Sequence, residues 1–190
     1  MRIFSGIYKG RAIQSPAGQV TRPTSAKLRQ SLFNICQFIE KPYAFLDLFS
    51  GSGAMGLEAL SRGASHAAFV DSSRESIRCI KQNLHAFGFE ETDAITVDII
   101  HADVFDVLAK LAKKGQLFDI IYADPPYNMG LGLATLRLID ELNLTKPSGF
   151  FFLEEESNSL PEDVPLKNLV LKNSRKMGKS TLWQFIAKHN

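Results

Sequence analysis

Acidic residues are missing from the first 39 positions of this chain: the first carboxylate is Glu40, and Arg2, Lys9, Arg11, Arg22, Lys27 and Arg29 all precede it. A segment of formal charge +6 therefore sits on a chain of net charge +2, which leaves −4 for the rest. Such asymmetry points to a polyanionic partner at one end. A solvated tail is the plainer reading. However, Ile3, Phe4, Ile7, Tyr8 and Ile13 are interleaved with the charges, which lets the arm pack and favours a structured surface facing nucleic acid. Cysteine is scarce. Cys36 and Cys79 fall in helical patterns among apolar neighbours, which excludes a disulfide scaffold and suits small core positions in a reducing compartment. The four histidines (His66, His85, His101, His189) have no metal-ligand spacing, so no metal is expected. No apolar run approaches the roughly 20 residues of a membrane span, and the basic start lacks the apolar stretch of a signal peptide. The expectation is a soluble cytoplasmic protein, monomeric by default.

What is present is enough apolar residue to bury a core, 45% of 190, in one domain with a short appendage. Residues 1–40 read as a basic N-terminal extension and 41–190 as the main domain. Turn signals at Gly6, Gly10 and Pro16–Gly18 break residues 2–20 into short strands or a hairpin. Thr24 or Ser25 can cap a helix with the stripe Leu28, Leu32, Ile35 and Ile39, ended by Pro42. Strand and helix periods then alternate. Strands are expected at 44–49, 67–71, 95–102, 118–123 and 149–154, and helices from the Gly51–Gly56 turn to Arg62 and at 74–87, 104–114 and 133–142. Two further strands fit 166–172 and 181–187. This alternation implies a mostly parallel sheet with helices on both faces. Ligands of such sheets bind beyond the C-terminal strand ends, which makes Asp47–Gly56, Asp71, Asp103 and Asp124–Tyr127 the stretches to read for chemistry.

Gly51-Ser52-Gly53-Ala54-Met55-Gly56 matches G-x-G-x-x-G directly after a strand, a weak signal by itself. Asp71, ending the second strand, can accept hydrogen bonds from two ribose hydroxyls. A nicotinamide oxidoreductase and a methyltransferase are both open at this point. Two features separate them. Asp47 lies under the glycine turn, where a carboxylate would repel a pyrophosphate but suit a ligand with a cationic amino-acid portion and a sulfonium. Asp124-Pro125-Pro126-Tyr127 follows the fourth strand, and its prolines stiffen the loop. The loop offers a carboxylate, the Pro125 carbonyl and an aromatic face. These fit a planar ring with an exocyclic amine, stacked on Tyr127, its two amino hydrogens accepted by Asp124 and Pro125. Each feature has a plainer reading alone: Asp-Pro-Pro-Tyr as a turn, Asp103 as a cap for the helix from Val104. Four such features at four successive strand ends favour the enzyme.

The chain also resembles a known family. Asp47-Leu48-Phe49-Ser50-Gly51-Ser52-Gly53 is similar to the first motif of class I methyltransferases, and Asp124-Pro125-Pro126-Tyr127 to their fourth. The closer resemblance is to the RsmD family, bacterial enzymes that make N2-methylguanine in 16S ribosomal RNA. It is carried by Arg2-Ile3 with Lys9-Gly10-Arg11, by Thr21-Arg22-Pro23-Thr24 with Leu32-Phe33-Asn34, and by Gly56-Leu57-Glu58-Ala59-Leu60-Ser61-Arg62-Gly63-Ala64. The resemblance implies a Rossmann-like α/β fold with a seven-stranded sheet and an N-terminal extension. It implies S-adenosylmethionine held by Asp47, Phe49, Gly51, Ser52, Gly53, Asp71, Ser72, Asp103 and Val104, with Arg22 and Thr24 folding over the cofactor or substrate. It also implies phosphate contacts from Arg2, Lys9, Arg11, Lys27 and Arg29, and a substrate rRNA within an assembled or partly assembled small subunit. Two positions depart from the family pattern: Asp71 replaces the usual Glu, and Met177-Gly178 the usual Tyr-Gly. Rival readings are adenine N6 of DNA or RNA, a protein glutamine amide, a nicotinamide oxidoreductase and a catalytically silent RNA-binding module.

Overall fold

The computed structural model describes residues 1–16, 26–89, 95–127, 129–156 and 164–188. Five strands run parallel: β1 (Tyr43–Leu48), β2 (Ala64–Asp71), β3 (Thr96–His101), β4 (Phe118–Ala123) and β5 (Thr145–Glu156). A hairpin of β6 (Leu169–Met177) and β7 (Ser180–Ala187) completes a sheet of order β3-β2-β1-β4-β5-β7-β6, with β7 antiparallel to both neighbours. The helices are α1 (Ala26–Ile35), α2 (Ala54–Ser61), α3 (Arg74–Phe87), α4 (Val104–Lys113) and α5 (Leu131–Leu142).

Local chemistry explains most of these elements. The Ser73 side chain accepts the Ser76 N–H and starts α3, and Gly88, at φ 69°, lets the chain leave it in the left-handed conformation. β4 is apolar almost throughout because it is central, paired with β1 and β5. Two apolar layers cover the sheet. The arm, α1, α2 and α3 pack on one face with Phe45, Phe69, Tyr122 and Phe152. α4 and α5 pack on the other with Leu46, Ile121, Phe151 and Trp183.

Several boundaries differ from the sequence reading. The first helix stops at Ile35, a 3₁₀ turn takes Cys36–Phe38, and Ile39 is extended, so the stripe expected through Ile39 ends one turn early. The arm forms a single bridge, Arg2 to Ala12, within a set of turns, and its expected turn at 17–18 lies outside the described residues. β5 begins at Thr145, since the Pro147–Gly149 stretch is an irregularity inside the strand, with Ser148 at φ 60°. β6 extends to Met177 across Lys172–Lys176, whose polarity reads as turn but belongs to an exposed edge.

Candidate active site

Parallel register brings the strand ends together. Asp47 near the end of β1 pairs with Phe69 of β2 and Tyr122 of β4, and Asp124 follows Ala123, itself paired with Leu48 and Leu153. The helices return in the opposite direction, so each helix on these crossovers begins at this end of the sheet.

The turn after β1 is tightly wound. Phe49 (φ 56°), Gly51 (φ 54°) and Gly53 (φ 75°) are all left-handed, and at Phe49 this costs about 1 kcal/mol or more of backbone strain. A side chain on Gly51 would meet nothing within 4 Å, so the turn's backbone faces open space, where a ligand can approach. Gly56 has a different role. A Cβ there would come within 2.2 Å of the Phe69 ring, so this glycine permits close packing of α2 on β2.

Asp47 is buried, and its Oδ2 accepts the Gly56 N–H at 3.0 Å, satisfying a donor in the first turn of α2 that no N-cap side chain reaches. Burial pushes its carboxyl well above the usual range; the Gly56 hydrogen bond opposes this and nearby Asp71 reinforces it. An acid held under such strain fits a ligand that brings a positive charge. Asp71 accepts the Gly51 N–H at 2.8 Å and the Ser73 N–H at 2.8 Å, which ties the glycine turn to the start of α3. Each oxygen retains a lone pair for a ribose hydroxyl. Ser72 is exposed, and its carbonyl lies 3.0 Å from His101 Nε2. Asp103 caps α4 by accepting the Phe105 N–H at 2.8 Å, beside buried Val104. A left-handed glycine turn, a carboxylate at the end of β2 and a buried acid seeking a cation match the donor set that S-adenosylmethionine requires.

In the Asp-Pro-Pro-Tyr loop, Pro125 is buried and Asp124 and Tyr127 are half-buried. The Tyr127 hydroxyl lies 3.5 Å from Glu154 Oε1. The sequence reading missed Glu154, which also accepts Tyr122 Oη at 2.8 Å and Ser180 Oγ at 2.9 Å. One buried carboxylate therefore meets hydroxyls from β4, the Asp-Pro-Pro-Tyr loop and the start of β7. The available signal was the acidic run Glu154–Glu156 after an apolar strand, exposed by pattern but buried by register at its first two positions.

The remaining expected residues divide. Arg22 and Thr24 lie outside the described residues. Lys9 and Lys27 are exposed. Arg2 donates from Nη1 to the Gly10 carbonyl at 2.8 Å, and Arg11 reaches the carbonyls of Ala86 and Phe87 at the end of α3, both at 3.3 Å, while stacking over Tyr8. Arg29 corrects the reading. It is 1% exposed, lies over the Phe4 ring at 4.6 Å and donates to the Arg2 carbonyl, because it falls on the apolar side of α1; it holds the arm instead of offering charge to a phosphate. Burial lowers its pKa, partly offset by Glu58 and Tyr122.

Sheet order, glycine turn and proline-stiffened acidic loop together define a class I S-adenosylmethionine-dependent methyltransferase. Within that class the chain belongs to the family described as conserved hypothetical protein 95, whose model matches residues 1–186. It is 38% identical over 86% of its length, and 88% of the relative's, to Bacillus subtilis YlbH, provisionally named an rRNA methyltransferase. It is 31% identical to the ribosomal RNA small subunit methyltransferase D of Escherichia coli K12, over 85% of this chain and 78% of that one. The solved structure of a hypothetical protein from Thermus thermophilus superposes with a TM-score of 0.82 and 28% identity, over 97% of this chain and 98% of that one.

Proposed function

We propose that the chain transfers a methyl group from S-adenosylmethionine to the exocyclic N2 amine of a guanine in small-subunit ribosomal RNA. The protein would act as a cytoplasmic monomer on an assembled or partly assembled subunit. The observation that carries this reading is the Asp124–Tyr127 loop, at the end of β4 between the glycine turn and Glu154. The names of the E. coli and B. subtilis relatives support rRNA as the acceptor.

S-adenosylmethionine, when bound, supplies an electrophilic methyl on a sulfonium. Asp47 would hold its cationic amino-acid portion, Asp71 its ribose, and Asp103 and Val104 its adenine, with Phe49, Ser52 and Ser72 as further contacts; the family resemblance adds Arg22 and Thr24. The guanine must leave its helix or loop stack to enter the site. Its ring lies on Tyr127. Asp124 and the Pro125 carbonyl accept the two N–H bonds, which favours positive charge developing at nitrogen and directs its lone pair. Asp124 then takes the proton released on transfer. Tyr127 can hold the ring in one orientation because its hydroxyl is itself anchored near Glu154.

The test is incubation of the protein and labelled cofactor with undermethylated small subunits, free 16S rRNA, DNA and bulk protein, followed by identification of the modified nucleoside. N2-methylguanine in the subunits or rRNA is the expected product. Label confined to DNA or protein would end this reading.

A further inference from the structure

Beside the site lies an exposed, positively charged sheet edge. From Val164 to the end of the chain there is no Asp or Glu, but Lys167, Lys172, Arg175, Lys176, Lys179 and Lys188 are present. Most of these lie on β6, the edge strand, where Val170–Lys176 are exposed, or on the turn into β7.

Register aims this hairpin at the reaction centre. Leu182 of β7 pairs with Glu154 on one side and Arg175 on the other, so these three residues lie on one line across the sheet. At about 4.8 Å per strand, Arg175 is about 10 Å from Glu154 and about 15 Å from Asp124, backbone to backbone. The turn at Gly178–Lys179 is closer to the strand ends: Ser180 pairs with Glu156 and donates to the Glu154 carboxylate that Tyr127 also meets. On the helical side, Arg175 donates from Nη1 to Ser31 of α1 at 2.9 Å, and exposed Lys27 lies one turn before Ser31 on the same face. The described carboxylates nearby are buried, in Glu154 and Glu155, or half-buried, in Glu156.

The described arginines of the basic arm already have partners. Arg11 caps the C-terminus of α3, a helix of 14 residues that starts beside Asp71. Arg2 donates to the Gly10 carbonyl and Arg29 to the Arg2 carbonyl, so these arginines are engaged within the arm and its neighbours.

Resting on the rRNA reading above, we propose that the substrate RNA docks on the edge strand β6, the β6–β7 turn and the adjoining face of α1, with Lys27, Arg175, Lys176 and Lys179 meeting its phosphates. Charge complementarity at one short reach from Asp124 selects this occupant. Cations on an edge strand also serve to repel a second strand, and that lesser role is what the experiment must exclude.

The experiment compares the full-length wild type with Lys176→Ala/Lys179→Ala, the charge reversal Lys176→Glu/Lys179→Glu, and Lys113→Ala/Lys114→Ala as an equal loss of charge at the far end of α4. Binding to undermethylated small subunits and to a 16S rRNA transcript is measured against salt, alongside methylation kinetics, cofactor Kd and Tm. Each lost phosphate contact should flatten the salt slope by about 0.7–0.9, so the alanine pair should lower it by about 1.4–1.8. KM for RNA should rise at least several-fold, and further with the reversal, while kcat at saturating RNA, cofactor Kd and Tm stay near wild type. The Lys113/Lys114 pair should resemble wild type. Unchanged slope and KM in both hairpin variants, with an active wild type, would overturn the docking surface and leave the cations as edge guards. The same holds if Arg2→Ala/Lys9→Ala takes the whole loss. A wild type that neither binds nor methylates rRNA would refute the functional reading itself, and the surface with it.

Discussion

Asp47 caps the first turn of α2 from beneath and, on the proposed reading, receives a cation. Both roles place a charge where burial opposes one. The folded protein holds the proton more tightly than the unfolded chain, so stability from this group is greatest in acid and declines as pH rises from the ordinary carboxylate range through its elevated folded value. Asp47→Asn keeps an acceptor for Gly56 and removes the penalty. Its ligand-free Tm should exceed wild type at neutral pH, with the gap closing in acid, and thermal melts across pH will measure it. Cofactor affinity should be lost in the same variant. In wild type it should climb with pH, because binding the cation requires the ionised acid; calorimetry in buffers of different ionisation enthalpy would detect the released proton. On the proposed reading Asp124 has the contrasting role, at the reacting amine and not under the cofactor. Asp124→Ala should cut single-turnover methyl transfer by about 10²-fold or more while cofactor Kd stays near wild type. Loss of cofactor binding would show that its role was wrongly assigned.

Among the elements, the arm and α2 behave as one unit. Glu58, fully buried, accepts the N–H groups of Phe4 (2.8 Å) and Ser5 (3.0 Å) and pairs with Arg62 at 2.7 Å, while Ser61 Oγ donates to the Ser5 carbonyl. Asn83 of α3 extends the link: it accepts the Gln14 N–H and donates to the carbonyls of Gln14 and Ser52, the latter inside the glycine turn. The arm thereby braces the cofactor turn through hydrogen bonds, in addition to burying Ile3 and Ile13. Glu58→Ala leaves two backbone donors and Arg62 without their carboxylate partner. It should cost about 3 kcal/mol in denaturant unfolding, and a loss under 1 kcal/mol would mean that the clamp is loose.

For the molecule as a whole, parallel register gathers five carboxylates at one end of the sheet: Asp47, Asp71, Asp103, Asp124 and Glu154. An anionic dinucleotide is disfavoured there, and a ligand with a sulfonium or ammonium is favoured. S-adenosylhomocysteine, which keeps the amino-acid and adenosine portions, should raise the unfolding free energy by about 2.7 kcal/mol at 100 times its Kd. NAD at equal concentration should leave Tm unmoved, and selective stabilisation by NAD would contradict the methyltransferase assignment.

From the amino-acid order alone came the alternation of periods, the cap at Asp103, the glycine turn and the Asp-Pro-Pro-Tyr loop. These are local: each depends on side chains within a few positions of one another and on backbone preferences that act wherever the chain goes. The β5 irregularity, the full length of β6 and the burial of Arg29 depend on partners far away in sequence, and polarity misleads there, since an edge strand can be polar and a cation can lie on an aromatic ring. Tertiary structure alone decided that Glu154 meets Tyr122, Tyr127 and Ser180, and that the basic hairpin shares an end of the sheet with Asp124. Composition counts charges, but only strand order and direction determine which of them face the same ligand.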